Sequence, residues 1–161
     1  MSVKQTEQEH TGGKTMATNS FKTFLMKGTG SSSITYSKLI DIKTTPALNE
    51  PPEALETTTL SDYMRTYIPG IKEVASGGLE FKANYDVNDY QTLLALEGTE
   101  TPFAVWYGGT GTETVTPTGD LGKWAFKGYL SVTPDELDVN AVREMTITIM
   151  PSTPMSFSVV A

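Results

Sequence analysis

The 161-residue sequence contains no cysteine and a single histidine, His10. Without cysteine there is no disulfide, no thiolate nucleophile and no sulfur-bound zinc. One histidine, set in a polar N-terminal stretch, does not supply a histidine metal cluster or a Ser-His-Asp triad inside a fold. Positive charge is also scarce: 12 Lys and Arg face 19 Asp and Glu, for a net charge of -7. That balance argues against tight binding to a phosphate backbone, which needs clustered cations. It leaves open a surface past which DNA slides without sticking. No run comes near the ~20 apolar residues of a membrane-crossing helix, and Met1 to Ser20 lacks the apolar segment of a secretory signal. The expectation is a protein used in a reducing cytoplasm, or one that needs no covalent staples, and without a membrane anchor. No internal repeat is present.

What is there suffices for one domain with a packed core, at 38% hydrophobic and 19% charged residues. Residues 1–20 have almost nothing to bury and are expected to form a flexible N-terminal arm, with Met16 a candidate natural start. The folded domain is expected over 21–153. The last residues, 154–161, are apolar enough for a C-terminal arm or an edge strand. From Ser33 onward Ile34, Tyr36, Ile40 and Ile42 share a period-2 register, and Lys38 falls within it, which requires a bulge or a snorkelling stem.

Residues 44–76 then form a long loop. Pro46, Pro51, Pro52 and Pro69 punctuate it and no period is sustained, yet it carries Leu48, Leu55, Leu60, Tyr63, Met64, Tyr67, Ile68 and Ile71. A disordered linker would not hold so many large apolar side chains. A connection of about thirty residues without regular structure is uncommon in a compact domain and is usually functional. If these side chains find no shelter under their own sheet, the remaining partner is another chain. The loop is also acidic, with Glu50, Glu53, Glu56, Asp62 and Glu73 against Arg65 and Lys72.

After Gly77-Gly78, the alternation of Leu79, Phe81, Ala83 and Tyr85 with Glu80, Lys82 and Asn84 predicts a half-buried strand. Asp86 as N-cap, Asp89 in the first turn and Gly98 past the end delimit a helix over 86–98. Its stripe is Val87, Tyr90 and Leu94, broadened by Leu93 and Leu96. The remainder reads as β: a short strand Phe103 to Tyr107, and a strand with Trp124, Phe126, Leu130 and Val132 opposite Lys123, Lys127 and Ser131. A last long strand alternates Met145, Ile147 and Ile149 with Glu144, Thr146 and Thr148. Between these, Thr133-Pro134-Asp135-Glu136 has the form of a capping box and predicts one helical turn.

Chemical motifs fail one by one. Gly13-Lys14-Thr15 ends like a phosphate loop, but Gln8 stands where its first glycine belongs. Gly28-Thr29-Gly30 has Ser33 in place of a third glycine and reads better as a flexible hinge. Asp86 with Asp89, and Asp135, Glu136 with Asp138, sit at predicted helix starts, where capping explains them better than calcium or acid catalysis. A glycosidase pair that converges only in three dimensions stays open, though no spacing points to one. Trp106, Tyr107, Trp124 and Tyr129 could form a platform for sugar or single-stranded nucleic acid, but alternation turns Trp124 inward. No catalytic, cofactor or metal site is expected, and the chain is not read as an enzyme.

Four segments carry a resemblance: TTTLSDYMRTYIPGIKE (Thr57 to Glu73), GLEFKANYDVNDYQTLLAL (Gly78 to Leu96), PFAVWY (Pro102 to Tyr107) and WAFKGYLSVTPDELDVNAVREMTITIMPST (Trp124 to Thr153). Together they resemble the major tail tube proteins of long-tailed, siphovirus-type bacteriophages. The resemblance implies a mainly β fold: a β-sandwich or barrel-like tail tube fold with one packed α-helix, a long inter-strand loop and extended termini. It implies a structural virion protein that self-assembles into stacked hexameric rings, a conduit for DNA ejection assembled in the host cytoplasm. Its implied partners are further copies of itself, a tape measure protein, tail initiator and terminator proteins, and double-stranded DNA in transit without specific binding. The loop residues Leu48, Leu55, Leu60, Tyr63, Met64, Tyr67, Ile68 and Ile71 become the expected interface between subunits or rings. Asp41, Glu80, Lys82 and Glu144 are candidates for the lumen. A negative lining is the family expectation, yet Asp41, Glu80 and Glu144 are outnumbered by Lys43, Lys82, Lys123 and Lys127 on the polar strand faces. Two other readings stay open: a tube protein of a contractile injection or secretion system, and a monomeric carbohydrate-binding β-sandwich.

Overall fold

In the computed structural model, residues 21–73 and 77–159 are described. The expected arm over 1–20, His10 and the Gly13-Lys14-Thr15 triplet lie outside them. The elements follow in the order β1 (Thr23–Thr29), β2 (Thr35–Ile40), β3 (Ala54–Glu56), β4 (Tyr67–Pro69), β5 (Leu79–Asn84), α1 (Val87–Leu96), β6 (Thr101–Thr110), β7 (Thr116–Pro134), β8 (Glu144–Pro151) and β9 (Ser156–Ser158). Seven strands make one sheet in the order β2-β1-β6-β7-β8-β5, with β9 beside β7, while β3 and β4 pair apart from it. Every strand pair is antiparallel.

The 19-residue β7 organises the sheet. On one side it pairs with β6; on the other, β8 and β9 lie end to end, with Gly128 opposite Pro151 and Ala125 opposite Ser156. Because β6 begins at Thr101, opposite Gly128, the rest of β7 has no strand on that side. An open N–H there would be costly once buried. The residue after α1 answers it: Glu97 Oε1 accepts from the Val132 amide at 2.9 Å.

The two edges of the sheet meet. Ile40, the last residue of β2, pairs with Leu25, and only three residues later the Lys43 amide donates to the Lys82 carbonyl of β5 at 2.6 Å. The sheet is therefore rolled towards a barrel, and its inner face is the core. Leu25, Phe103, Val105 and Phe126 meet Leu79, Phe81, Leu130, Val132, Ile147 and Ile149 there, with Leu93 of α1 packed among them. Cross-strand partners share a face, which explains why Leu79, Ile149 and Leu130 form one buried row and Phe81, Ile147 and Val132 the next.

β1 carries no strand signal because both of its faces are covered. Leu25 points into the core, while Phe24 and Met26 are buried on the outer face with Ala104, under Tyr36, Trp106 and Val115. Consecutive apolar residues leave no alternation. Gly28-Thr29-Gly30 is consequently no hinge: Gly28 and Thr29 belong to β1, and Gly30 opens the turn to β2 with φ +105°.

Of the two readings of Lys38, a bulge or a snorkelling stem, the bulge is present. Leu25 faces Ile40 and Met26 faces Lys38, so Leu39 is the extra residue. The slip puts Tyr36 on the outer face and Ile40 in the core, which corrects their expected common face.

In α1, Asp86 accepts from the amides of Asn88 and Asp89, and Gly98 follows the end at φ +76°. The buried face is centred on Leu93, with Tyr90 and Leu96 partly covered. Val87 and Leu94, expected in the stripe, are exposed. Asp86→Ala is expected to cost about 1 kcal/mol by chemical denaturation, the usual loss for an N-cap, without altering the fold.

No helical turn forms at Thr133-Pro134-Asp135-Glu136. β7 runs through Pro134, and the Asp135 amide donates to the Glu144 carbonyl at 3.0 Å. Sheet pairing with β8 outweighs a one-turn helix, whose nucleation is unfavourable.

Candidate assembly surfaces

Three surfaces stand outside the core: an arm, a polar face and an apolar outer face. The arm leaves the barrel after Thr44. Leu48, counted with the exposed loop residues, instead packs against the molecule's own core. Beyond Pro51 and Pro52, β3 and β4 make a two-stranded ribbon in which Ala54 faces Pro69, Leu55 faces Ile68 and Glu56 faces Tyr67. The loop thus holds regular structure, in strands of three residues, too short to produce a legible period. Its base is closed by the Gly70 amide donating to the Glu53 carbonyl at 2.7 Å. Its tip is held by Asp62, whose Oδ2 accepts from the Thr59 amide at 2.7 Å and the Thr59 hydroxyl at 3.0 Å. Those bonds also lower the Asp62 pKa.

What the arm does not do is cover its apolar side chains. Leu60 and Tyr63 are as open as in an extended chain, at 110% and 108% exposure, and Ile71 reaches 90%. Met64, Leu55, Tyr67 and Ile68 are exposed too. An isolated two-stranded ribbon is marginal in water, and contiguous exposed apolar surface marks an interaction site.

The polar face is the outer side of β5, β8 and the end of β7, where Glu80, Thr148 and Ser131 form one row and Lys82, Thr146 and Thr133 the next. Three of the four lumen candidates, Glu80, Lys82 and Glu144, come together here. Asp41 does not; it sits after β2, paired with Lys38 at 2.9 Å. Both lysines on this face are already engaged: Lys82 Nζ lies 2.9 Å from Asp135 Oδ2, and Lys43 pairs with Glu144. The Thr146 hydroxyl donates to the other oxygen of Asp135 at 2.5 Å. Asp135, first assigned to a helix start, is thus the centre of a β-sheet ion-pair network. With Glu80, Asp135 and Glu144 against Lys43 and Lys82 the face is weakly negative, whereas Lys123 and Lys127 lie elsewhere on β7.

The Thr146 hydroxyl and then Lys82 hold the Asp135 carboxyl below its ordinary 3.8, and Asp135 in turn raises Lys82. A depressed carboxylate stabilises the fold above its unfolded pKa and loses that contribution as pH falls through the folded value. Asp135→Asn should therefore flatten the loss of stability below pH ~4. Denaturation midpoints at pH 7 and pH 3 check this, and parallel losses for both proteins would refute it.

The third surface covers β2, β1, β6 and the first half of β7. Trp106 lies 5.8 Å from Tyr36 and has Lys123 Nζ 3.8 Å above its ring. Trp124 points the other way, against Phe157 at 5.0 Å. The four aromatics considered for a ligand platform are therefore split: Trp106 and Tyr129 face outward, and Tyr107 and Trp124 face inward.

Among the described residues there is no group of three metal-ligating side chains, and no helix long and apolar enough to cross a membrane. Fold and surfaces define a structural β protein: a rolled antiparallel sheet that holds out an uncovered apolar arm.

Residues 14–160 match the family model described as phage tail tube, TTP, lambda-like, and the chain belongs to that family. It is a structural component of a phage tail, in a family of tube proteins and not of enzymes, and it works as part of an oligomeric assembly. In fold it is similar to a chain in the cryo-EM structure of the anti-feeding prophage (AFP) baseplate, 6-fold symmetrised, with a TM-score of 0.56 over 89% of this chain and 97% of that one. Sequence identity is 13%, so that likeness concerns the fold. No curated protein matches the sequence.

Proposed function

We propose that copies of this chain close into hexameric rings, that the rings stack into the tail tube, and that the β3–β4 arm is a main contact between copies. The observation that carries this reading is the arm, whose seven uncovered apolar residues find no shelter among the described residues of their own molecule. A closed ring would also give the open edges of the two-stranded β3–β4 ribbon a partner in the next subunit.

The polar face of β5, β8 and β7 lines the bore in this reading, and double-stranded DNA passes it without specific binding. Its cations are held by Asp135 and Glu144, which leaves few free charges to grip phosphate. A tape measure protein sets the length, and initiator and terminator proteins bound the tube, which is assembled in the host cytoplasm. Electron microscopy of the purified protein at high concentration is expected to show six-fold rings or tubes. A strictly monomeric particle would overturn the proposal.

The likeness to a chain of the anti-feeding prophage baseplate favours one second reading, a tube subunit of a contractile injection or secretion system. A carbohydrate module has no such support, since the aromatics form no shared platform.

A further inference from the structure

The outer face of β2, β1, β6 and β7 has a form that suits the arm. Its floor is made of small residues: Gly28 opposite Tyr36, and Ala104 opposite Ala125. Gly28 is needed there, because a Cβ would stand 2.5 Å from Ile34 Cγ2 and 2.8 Å from Pro102 Cβ. Tyr36 and Pro102 form one wall of a trough of about 200 Å³, and Pro154 and Ser156 lie across it. Two lysines border the trough: Lys123 stands over Trp106 and Lys127 beside Pro102. Of the carboxylates around this face, Asp41 is taken by Lys38, Glu100 accepts from the Ser152 hydroxyl, and Glu113 lines a separate hollow with Phe24 and Val115.

The arm is the complement. Over residues 44–73 it carries five acids against Arg65 and Lys72. One side of the ribbon presents Leu55 and Ile68, with Glu53 two residues before Leu55 and so in the same register. Glu56, on the opposite side, is partnered by Arg65 at 3.8 Å, which leaves Glu53 as the free acid beside the apolar pair.

We infer that the Glu53–Leu55–Ile68 side of the arm docks in this trough on a second copy of the chain, with Glu53 between Lys123 and Lys127. Charge complementarity selects this face over the polar face, whose lysines are already neutralised. The inference rests on the arm being an intermolecular contact, as proposed above.

The test places the photo-crosslinker p-benzoylphenylalanine at Leu55 in the full-length protein and maps the captured peptide. Capture of residues 34–38, 102–106 or 123–127 of a second copy is expected. Capture of another surface of a second copy overturns this docking and leaves the arm's intermolecular role intact; no capture between copies overturns both. Independently, Lys123→Glu with Lys127→Glu is expected to raise the concentration needed for assembly at least tenfold, and Glu53→Lys added to it should recover several-fold of that loss. Lys127→Glu alone avoids disturbing Trp106 and should raise the requirement several-fold. An unchanged assembly concentration in a folded variant refutes the docking.

Discussion

Replacing residues 54–69 with two glycines is expected to abolish assembly and leave the barrel folded. The Gly70 amide already bonds the Glu53 carbonyl at the base of the arm. Two glycines between them make a four-residue β-turn closed by that same bond, a geometry glycine adopts freely. Leu48 stays in place because it packs against the core. The excised side chains belong to neither buried cluster of the barrel, so thermal stability should move by only a few degrees. Docked on neighbours, they would remove a few hundred square ångströms of apolar surface from water. That is on the order of 5–10 kcal/mol before ordering costs, enough to decide whether rings form. Sedimentation velocity and circular dichroism read the two quantities separately. Tubes from the shortened chain would sink the interface role, and collapse of the fold would show that the arm belongs to the core.

Phe81→Ala is expected to be the most damaging single change to the fold. Phe81 is wholly buried in β5, opposite Ile147, and β5 closes the sheet by accepting the Lys43 amide. Truncating a buried phenylalanine costs about 3–5 kcal/mol, out of a typical total of about 5–15. Tm should fall by roughly 10 °C or more. The exposed neighbour Glu80→Ala supplies the contrast, with an expected change within about 0.5 kcal/mol. Equal effects from the two would refute the division of β5 into a buried face with Phe81 and an exposed face with Glu80.

Several elements are legible in the sequence. β5 has one wet and one buried face, so its alternation is clean, and β8 pairs with it in matching rows. The helix was bounded by Asp86 and Gly98 because caps are local devices. Lys38 as a charge in an apolar register called for a bulge or a snorkelling stem, and the pairing with β1 decides for the bulge. β1 was invisible for the opposite reason: covered on both faces, its apolar residues Phe24, Leu25 and Met26 are consecutive and show no alternation. Asp135 was misassigned since Thr-Pro-Asp-Glu is a sound helix start locally, and its ladder with Glu144 is made across a loop.

Of the site, the list of uncovered apolar residues was available from composition and proline spacing, and seven of its eight members stand exposed. Leu48 was not separable from them, because no local signal says which side chain of an irregular segment turns back to the core. Glu80, Lys82 and Glu144 were recognisable as outward, but not the pairing that neutralises the face.

The order of residues settled the absence of cysteine chemistry, the β character, one capped helix and the presence of a greasy, acidic excursion, all of which follow from residue type and short-range period. Rolling of the sheet, the division of β7 between three partner strands, the split of the aromatics and the meeting of Asp135 with Lys82 belong to long-range registry. Lys82 and Asp135 stand 53 positions apart and Lys43 and Glu144 101, separations over which periodicity carries no information.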